Sequence, residues 1–155
     1  MYTITKQFTF SASHQLEGLP DDHPCSRLHG HNYIVEVELQ APALDSVGFV
    51  QDYRDLDFVK EMIDRELDHR HLNGVIGINP TAENLAGWVF VRCFERFNKL
   101  AAVRVSETPK TWAEYRHKRA QSVVLPRPLQ ATQISELANQ VAELIKQLGE
   151  QGGLR

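Results

Sequence analysis

From Ile4 to His14 the chain alternates. Ile4, Phe8, Phe10, Ala12 and His14 fall on one face, and Thr5, Gln7, Thr9, Ser11 and Ser13 on the other. A period of two sustained this long predicts a half-buried strand. Lys6 is the one charged residue on the apolar side. Leu16 to Leu28 carries Gly18, Pro20, Pro24 and two aspartates and is predicted to be a loop. Alternation resumes from His29 to Leu39, with His29, His31, Tyr33, Val35, Val37 and Leu39 on one side and Asn32, Glu36 and Glu38 on the other. Two long alternating strands joined this way predict an antiparallel pair.

The period then changes. Leu56, Val59, Ile63 and Leu67 are spaced by 3, 4 and 4, which predicts a helix over about 52–67 with Asp52 as N-cap. Asn73 to Pro80 reads as a loop. Thr81 is the expected N-cap of a second helix with Leu85, Trp88, Val89, Arg92 and Cys93 on one stripe. Ala101, Val103, Val105 and Glu107 form a third alternating set, Pro109-Lys110 a turn, and Trp112 to His117 the start of a fourth strand. The order β-β-α-α-β-β is an α+β pattern. Residues 126–131 read as a linker, and Ile134, Leu137, Val141, Leu144, Ile145 and Leu148 as an amphipathic helix ending at Gly149. The expected organisation is one domain over 1–120 and an extension over 121–155.

Composition narrows the class. A chain of 155 residues with 42% hydrophobic and 24% charged residues is globular rather than disordered. A net charge of −3 argues against a general nucleic-acid or membrane-surface binder. The start, MYTITKQF, lacks a basic segment followed by an apolar run, and no apolar run approaches the ~20 residues of a membrane span. Two cysteines make no disulfide framework. The expectation is a cytoplasmic protein with reduced thiols.

The main chemical signal is Cys25-Ser-Arg-Leu-His29-Gly-His31. Histidines at i and i+2 on a strand point to the same side, and pairing of the first two strands brings His14 alongside. Three neutral imidazoles with an open fourth position describe a catalytic zinc site, with iron or nickel as the other metals such donors take and partly buried histidines bonded to backbone as the plainer reading. Cys25 is either a fourth ligand, closing a structural site, or a thiolate base or nucleophile next to the metal. Cys93, on an apolar stripe, reads as core, and His23 and His117 as surface or loop residues. Asp68-His69-Arg70-His71 places a carboxylate beside histidines: an oriented general base, or cations suited to a helix end, with spacing leaving His69 and His71 unseparated. Glu107 continues an apolar face, so it requires a basic partner or a ligand such as a planar heterocycle with adjacent N–H donors.

In this order, Phe10-Ser-Ala-Ser-His14, Cys25-Ser-Arg-Leu-His29-Gly-His31-Asn32, Leu67-Asp68-His69 with Leu72-Asn73, Asn79-Pro80-Thr81-Ala-Glu83-Asn84 and Ser106-Glu107-Thr108 are specific together. Over residues 4 to about 117 the chain resembles the 6-pyruvoyl-tetrahydropterin synthase family. The three-residue gap between Cys25 and His29 resembles that of its carboxy-forming branch. The resemblance implies the tunnelling fold, with trimers stacking into a homohexamer and active sites between subunits. It implies zinc on His14, His29 and His31, Cys25 as general base assisted by Asp68 and His69, and Glu107 as anchor of the pterin ring. It settles His69 over His71 and places Thr81 to Glu83 close to the pterin of a neighbouring subunit. The implied reaction converts 7,8-dihydroneopterin triphosphate into 6-carboxy-5,6,7,8-tetrahydropterin, acetaldehyde and triphosphate, on the route to 7-deazaguanines such as queuosine, without an external redox cofactor. The alternatives are the pyruvoyl-forming synthase and a non-catalytic pterin- or purine-binding module with structural zinc. Charge alone suggests Arg27, and secondarily Lys6, for the triphosphate.

Overall fold

The computed structural model describes residues 1–117. The expected linker and amphipathic helix lie outside the described residues. Strands β1 (Tyr2–His14), β2 (His29–Ala41), β3 (Leu100–Thr108) and β4 (Thr111–Arg116) form one antiparallel sheet in sequential order. Between β2 and β3 run α1 (Asp57–Glu66), a single turn α2 (Asn73–Ile76) and α3 (Ala82–Phe94). The architecture is the α+β arrangement that the alternation predicts. Among the described residues no helix is long and apolar enough to cross a membrane.

The apolar face of each strand meets the helices. Phe8, Phe10, Tyr33, Val35, Val37, Leu39, Val103 and Val105 share one buried cluster with Leu56, Val59, Met62 and Ile63, and with Leu85, Val89, Phe90 and Cys93 from α3. Each fully buried branched side chain contributes roughly 1.5–3 kcal/mol, so this layer contact is the main source of stability. Cys93 is the core residue its stripe predicts, and burial pushes its thiol up to about 12. Lys6, the exception on the apolar side, reaches the edge of the layer. Its Nζ donates to the Tyr53 carbonyl at 2.9 Å and pairs with Asp57 at 3.0 Å, which leaves it committed to structure.

Three elements differ from the periodicity. Asp52 caps a 3-10 turn, Tyr53–Leu56, rather than the α-helix, which starts at Asp57. The apolar spacing carries over because Leu56 packs in the same cluster. The stretch predicted as a loop after Leu72 contains α2, closed by Gly77 at φ 68°, a left-handed position that favours glycine. The fourth strand ends at Arg116. Thr81 caps α3 as expected, its Oγ1 accepting the Asn84 N–H at 3.3 Å.

The other sheet face is polar. Glu38 is 5% exposed there. It accepts from Arg104 at 2.8 Å and from Arg116 at 2.6 Å, and Glu114 bridges the same two arginines at 2.7 and 2.8 Å. The hydrogen bond from Arg116 is the largest influence holding Glu38 below the ordinary carboxylate range. A depressed folded-state pKa means that the stabilisation is complete above the unfolded value and drains as pH falls through the folded one. Glu38→Gln is therefore expected to cost about 2 kcal/mol at neutral pH, by leaving two half-buried guanidinium groups short of a counter-charge. Urea unfolding at pH 7 and pH 3 checks this: the gap between variant and wild type narrows at the lower pH.

Candidate active site

The β1–β2 register creates the site. His14 lies directly opposite His29, and Ala12 opposite His31. Because side chains alternate, all three imidazoles project from one face at the sheet's end. Their ligand atoms lie within 4.8 Å of one another, with ring centroids 4.4 to 5.1 Å apart. Among the described residues these three form the ligand group, and Cys25 Sγ is not part of it. Gly30 lies between two of them, where the strands approach closely. A Cβ there would lie 3.1 Å from the Ala12 carbonyl oxygen, so glycine is what lets the strands close at this point.

Hydrogen bonds fix the tautomer of two of the rings. His14 Nδ1 lies 2.8 Å from the Pro80 carbonyl and His29 Nδ1 2.7 Å from the Arg27 carbonyl. A carbonyl only accepts, so both Nδ1 atoms carry the proton and both Nε2 atoms present lone pairs when the rings are neutral. Those two Nε2 atoms face each other at 3.0 Å. His31 Nε2 is buried without a hydrogen-bond partner. Burial, more than any other influence, holds His31 below its ordinary pKa; Glu107 opposes this, and His14 and His29 add to it. Converging lone pairs on neutral imidazoles are the donor set a cation completes, and nitrogen donors of this kind suit zinc and its neighbours. The site fits a metal ion.

The surroundings are held by asparagines. Asn73 accepts from the Gln15 N–H at 2.9 Å and donates to the Gln15 carbonyl at 2.7 Å; Asn79 does the same for Glu17 at 2.9 and 3.0 Å. Each side-chain amide thus replaces a strand partner for the chain leaving His14. The cysteine loop is tied to the same segment, with Leu16 N–H donating to the Cys25 carbonyl at 2.9 Å. Cys25 itself is half-buried in a 3-10 turn, Pro24–Ser26, whose cap is His23, with Nδ1 accepting the Cys25 N–H at 3.1 Å. His23, read from sequence as a plain loop residue, thus shapes the turn that carries the thiol. Arg27 contributes its carbonyl to His29, and its side chain is exposed.

Glu107 Oε1 lies 3.9 Å from His14 Nε2. Among the described residues no lysine or arginine pairs with it, and its ionic contact is this histidine, which carries charge only when protonated. The carboxylate faces a cavity of about 290 Å³ shared with Thr81, Glu83 and Trp112. The structure therefore brings Thr81 and Glu83 to the chain's own Glu107, where the family resemblance places them beside a neighbour's pterin. Trp112 was missed from sequence. Its signal was weak: a large aromatic just past the turn that follows Glu107, 45% exposed.

Asp68 and His69 lie on the other side of β1. Asp68 Oδ1 accepts the Ser11 N–H at 2.9 Å and Oδ2 pairs with His69 Nδ1 at 2.8 Å; these bonds, the first foremost, hold Asp68 below the ordinary range. His69 has φ 56°, and its side chain is 82% exposed. His71 is bonded instead to Ser13 Oγ at 3.2 Å. The pair is oriented as a general base requires, though it opens onto a separate groove, bordered by His31.

The sequence pattern of the family described as 6-pyruvoyl tetrahydropterin synthase matches residues 3–118. A protein of Archaeoglobus fulgidus, provisionally named 6-carboxy-5,6,7,8-tetrahydropterin synthase, is 36% identical over 108 residues, covering 70% of this chain and 90% of its own. The 6-carboxy-5,6,7,8-tetrahydropterin synthase of Synechocystis is 34% identical over 122 residues, covering 74% of this chain and 93% of its own. The solved 6-pyruvoyl tetrahydropterin synthase of Caenorhabditis elegans superposes with a TM-score of 0.67 at 28% identity, over 75% of this chain and 95% of that one. With its α+β tunnelling fold and its histidine cluster, the chain belongs to the 6-pyruvoyl tetrahydropterin synthase family.

Proposed function

We propose that this chain is a zinc-dependent 6-carboxytetrahydropterin synthase of the cytoplasm, taking 7,8-dihydroneopterin triphosphate and water to 6-carboxy-5,6,7,8-tetrahydropterin, acetaldehyde and triphosphate. The observation that carries the reading is the pair of facing Nε2 lone pairs of His14 and His29 beside the orphaned His31 Nε2, with Glu107 Oε1 3.9 Å from His14 Nε2. The names of the relatives in Archaeoglobus and Synechocystis support the carboxy product over the pyruvoyl one.

His14, His29 and His31 would hold the zinc. Once bound, it supplies Lewis acidity that lowers the pKa of a ligating side-chain hydroxyl. Glu107, with no lysine or arginine partner among the described residues, accepts the adjacent N–H donors of the pterin edge with its two oxygens. Thr81 and Glu83 line the same cavity, and its small volume suits a bicyclic ring better than a whole nucleotide-sized substrate. Cys25, outside the ligand group, remains available as a thiolate that moves a proton on the side chain, and Asp68 holds His69 in one orientation to assist. A homohexamer built from trimers would bring these groups together, since β1 and β4 are both open sheet edges and His69 points outward. The chemistry needs no external redox cofactor, because reduction of the ring is matched by oxidation within the cleaved side chain.

Product analysis tests the reaction. Zinc-loaded protein given 7,8-dihydroneopterin triphosphate should yield carboxytetrahydropterin and acetaldehyde in equal amounts. A pyruvoyl product without acetaldehyde would move the chain to the sister branch, and unchanged substrate to a binding module. Cys25→Ala is expected to keep stoichiometric zinc while losing at least about a hundredfold in turnover; zinc-edge spectroscopy should find nitrogen and oxygen neighbours only, and one sulfur in the shell would refute this role for Cys25. Light scattering of the purified chain should give the mass of six copies.

A further inference from the structure

One cavity in the described residues has no role in the site above beyond exposing His69. It is a groove of about 660 Å³ on the outer side of β1 and β2. Its side chains come from Ser11, Ser13, Asn32, His69, Arg70 and His71, and none of its lining residues is acidic. In a chain of net charge −3 that is an unusual concentration of donors. Asp68, the adjacent carboxylate, is turned away to the Ser11 N–H and to His69. Arg70 is exposed, and its guanidinium has no carboxylate partner among the described residues. Ser13 Oγ is held at 3.2 Å from His71 Nδ1, and Ser11 Oγ at 2.8 Å from Asn32 Oδ1, which leaves the Asn32 amide N–H groups free to donate.

We infer that this groove binds an oligophosphate chain, with Arg70 as the charge-bearing contact and His71, Ser13 and Asn32 as further donors. The inference rests on the proposed reaction for the identity of the ligand: the oligophosphate is the triphosphate tail of the pterin substrate. Two facts of placement support that identity. His31, whose imidazole projects with the metal-ligand cluster from the opposite face of the sheet, also borders the groove, so groove and cluster share one stretch of β1 and β2. His69, the proposed proton carrier, opens into it, which puts an acid–base group beside the leaving group. The cations suggested by charge alone fit less well. Lys6 is spent on Asp57 and the Tyr53 carbonyl, and Arg27 lines neither this groove nor the Glu107 cavity.

The test uses the full chain loaded with zinc and two probes: inorganic tripolyphosphate by calorimetry, and neopterin, which lacks phosphate, by fluorescence anisotropy. Arg70→Ala should weaken tripolyphosphate binding by about tenfold or more, since a charged hydrogen-bond partner is lost, with Arg70→Lys recovering part of it. Neopterin binding should be unchanged in Arg70→Ala and lost in Glu107→Gln. The KM for 7,8-dihydroneopterin triphosphate should rise with kcat little altered. His71→Asn, at a second exposed position, should act in the same direction. The inference is overturned if wild type does not bind tripolyphosphate, if Arg70→Ala binds it as tightly, or if Arg27→Ala takes the loss instead. Failure of the enzyme reading looks different: no product from the triphosphate substrate, while tripolyphosphate binding still depends on Arg70.

Discussion

The register of β1 on β2 is the constraint on which the rest depends. His14 opposite His29 and Ala12 opposite His31 place three imidazoles on one face. A slip of one residue would turn the whole set of one strand to the opposite side. It would carry His14 away from its partners and also expose Phe8 and Phe10. The core therefore enforces the geometry of the site. Burial of Phe8, Phe10, Tyr33 and Val35 against the helices makes every other register far less stable, so the metal-binding arrangement needs no stabilisation of its own.

That surplus matters because the cluster is unfavourable without a cation. Two Nε2 lone pairs face each other at 3.0 Å, and a third imidazole nitrogen is buried with no partner. An unmet buried polar group costs about 1–3 kcal/mol. Rotation of the rings would relieve this, but the Pro80 and Arg27 carbonyls hold both Nδ1–H groups. Those carbonyls are themselves fixed. Asn79 ties its loop to Glu17, and the turn around Cys25 is tied to Leu16. The donor set is thus held in place by backbone hydrogen bonds rather than by the ion it would bind.

How much of this was legible in the sequence varies with the physical origin of each feature. The strands, α3 and the histidine cluster were readable because period-two alternation fixes which residues share a face, and pairing then follows. The start of α1 was misplaced by several residues because Leu56 packs equally well from a 3-10 turn, and apolar spacing does not distinguish the two. The short α2 was invisible, since four residues carry no period. At the site, sequence supplied residue types but not cavities. Glu107, Thr81 and Glu83 were named singly, while their meeting in one cavity with Trp112 depends on β4 folding back along β3. The roles of His23, Asn73 and Asn79 were hidden for a similar reason: each binds backbone distant in sequence or local to a turn, and nothing in composition marks such bonds.

His69 shows how backbone and chemistry compete at one position. A non-glycine residue at φ 56° costs roughly 1–3 kcal/mol. The neighbouring chain overrides that cost. His69 N–H donates to the Ser11 carbonyl at 2.6 Å, Ser13 N–H to the Arg70 carbonyl at 3.0 Å, and Leu72 N–H to the Ser13 carbonyl at 2.9 Å. This ladder sets the dihedral angle whatever the side chain. Glycine would adopt it without strain, and the chain does use glycine where the backbone alone demands such an angle, as at Gly77 after α2. At residue 69 it carries an imidazole instead, exposed and clasped by Asp68. Strain of this kind persists where the side chain does something the relaxed alternative cannot. Here the left-handed turn is what swings the ring out of the β1 ladder and into the groove, so the cost in backbone energy and the position of the imidazole proposed to carry a proton are one structural fact.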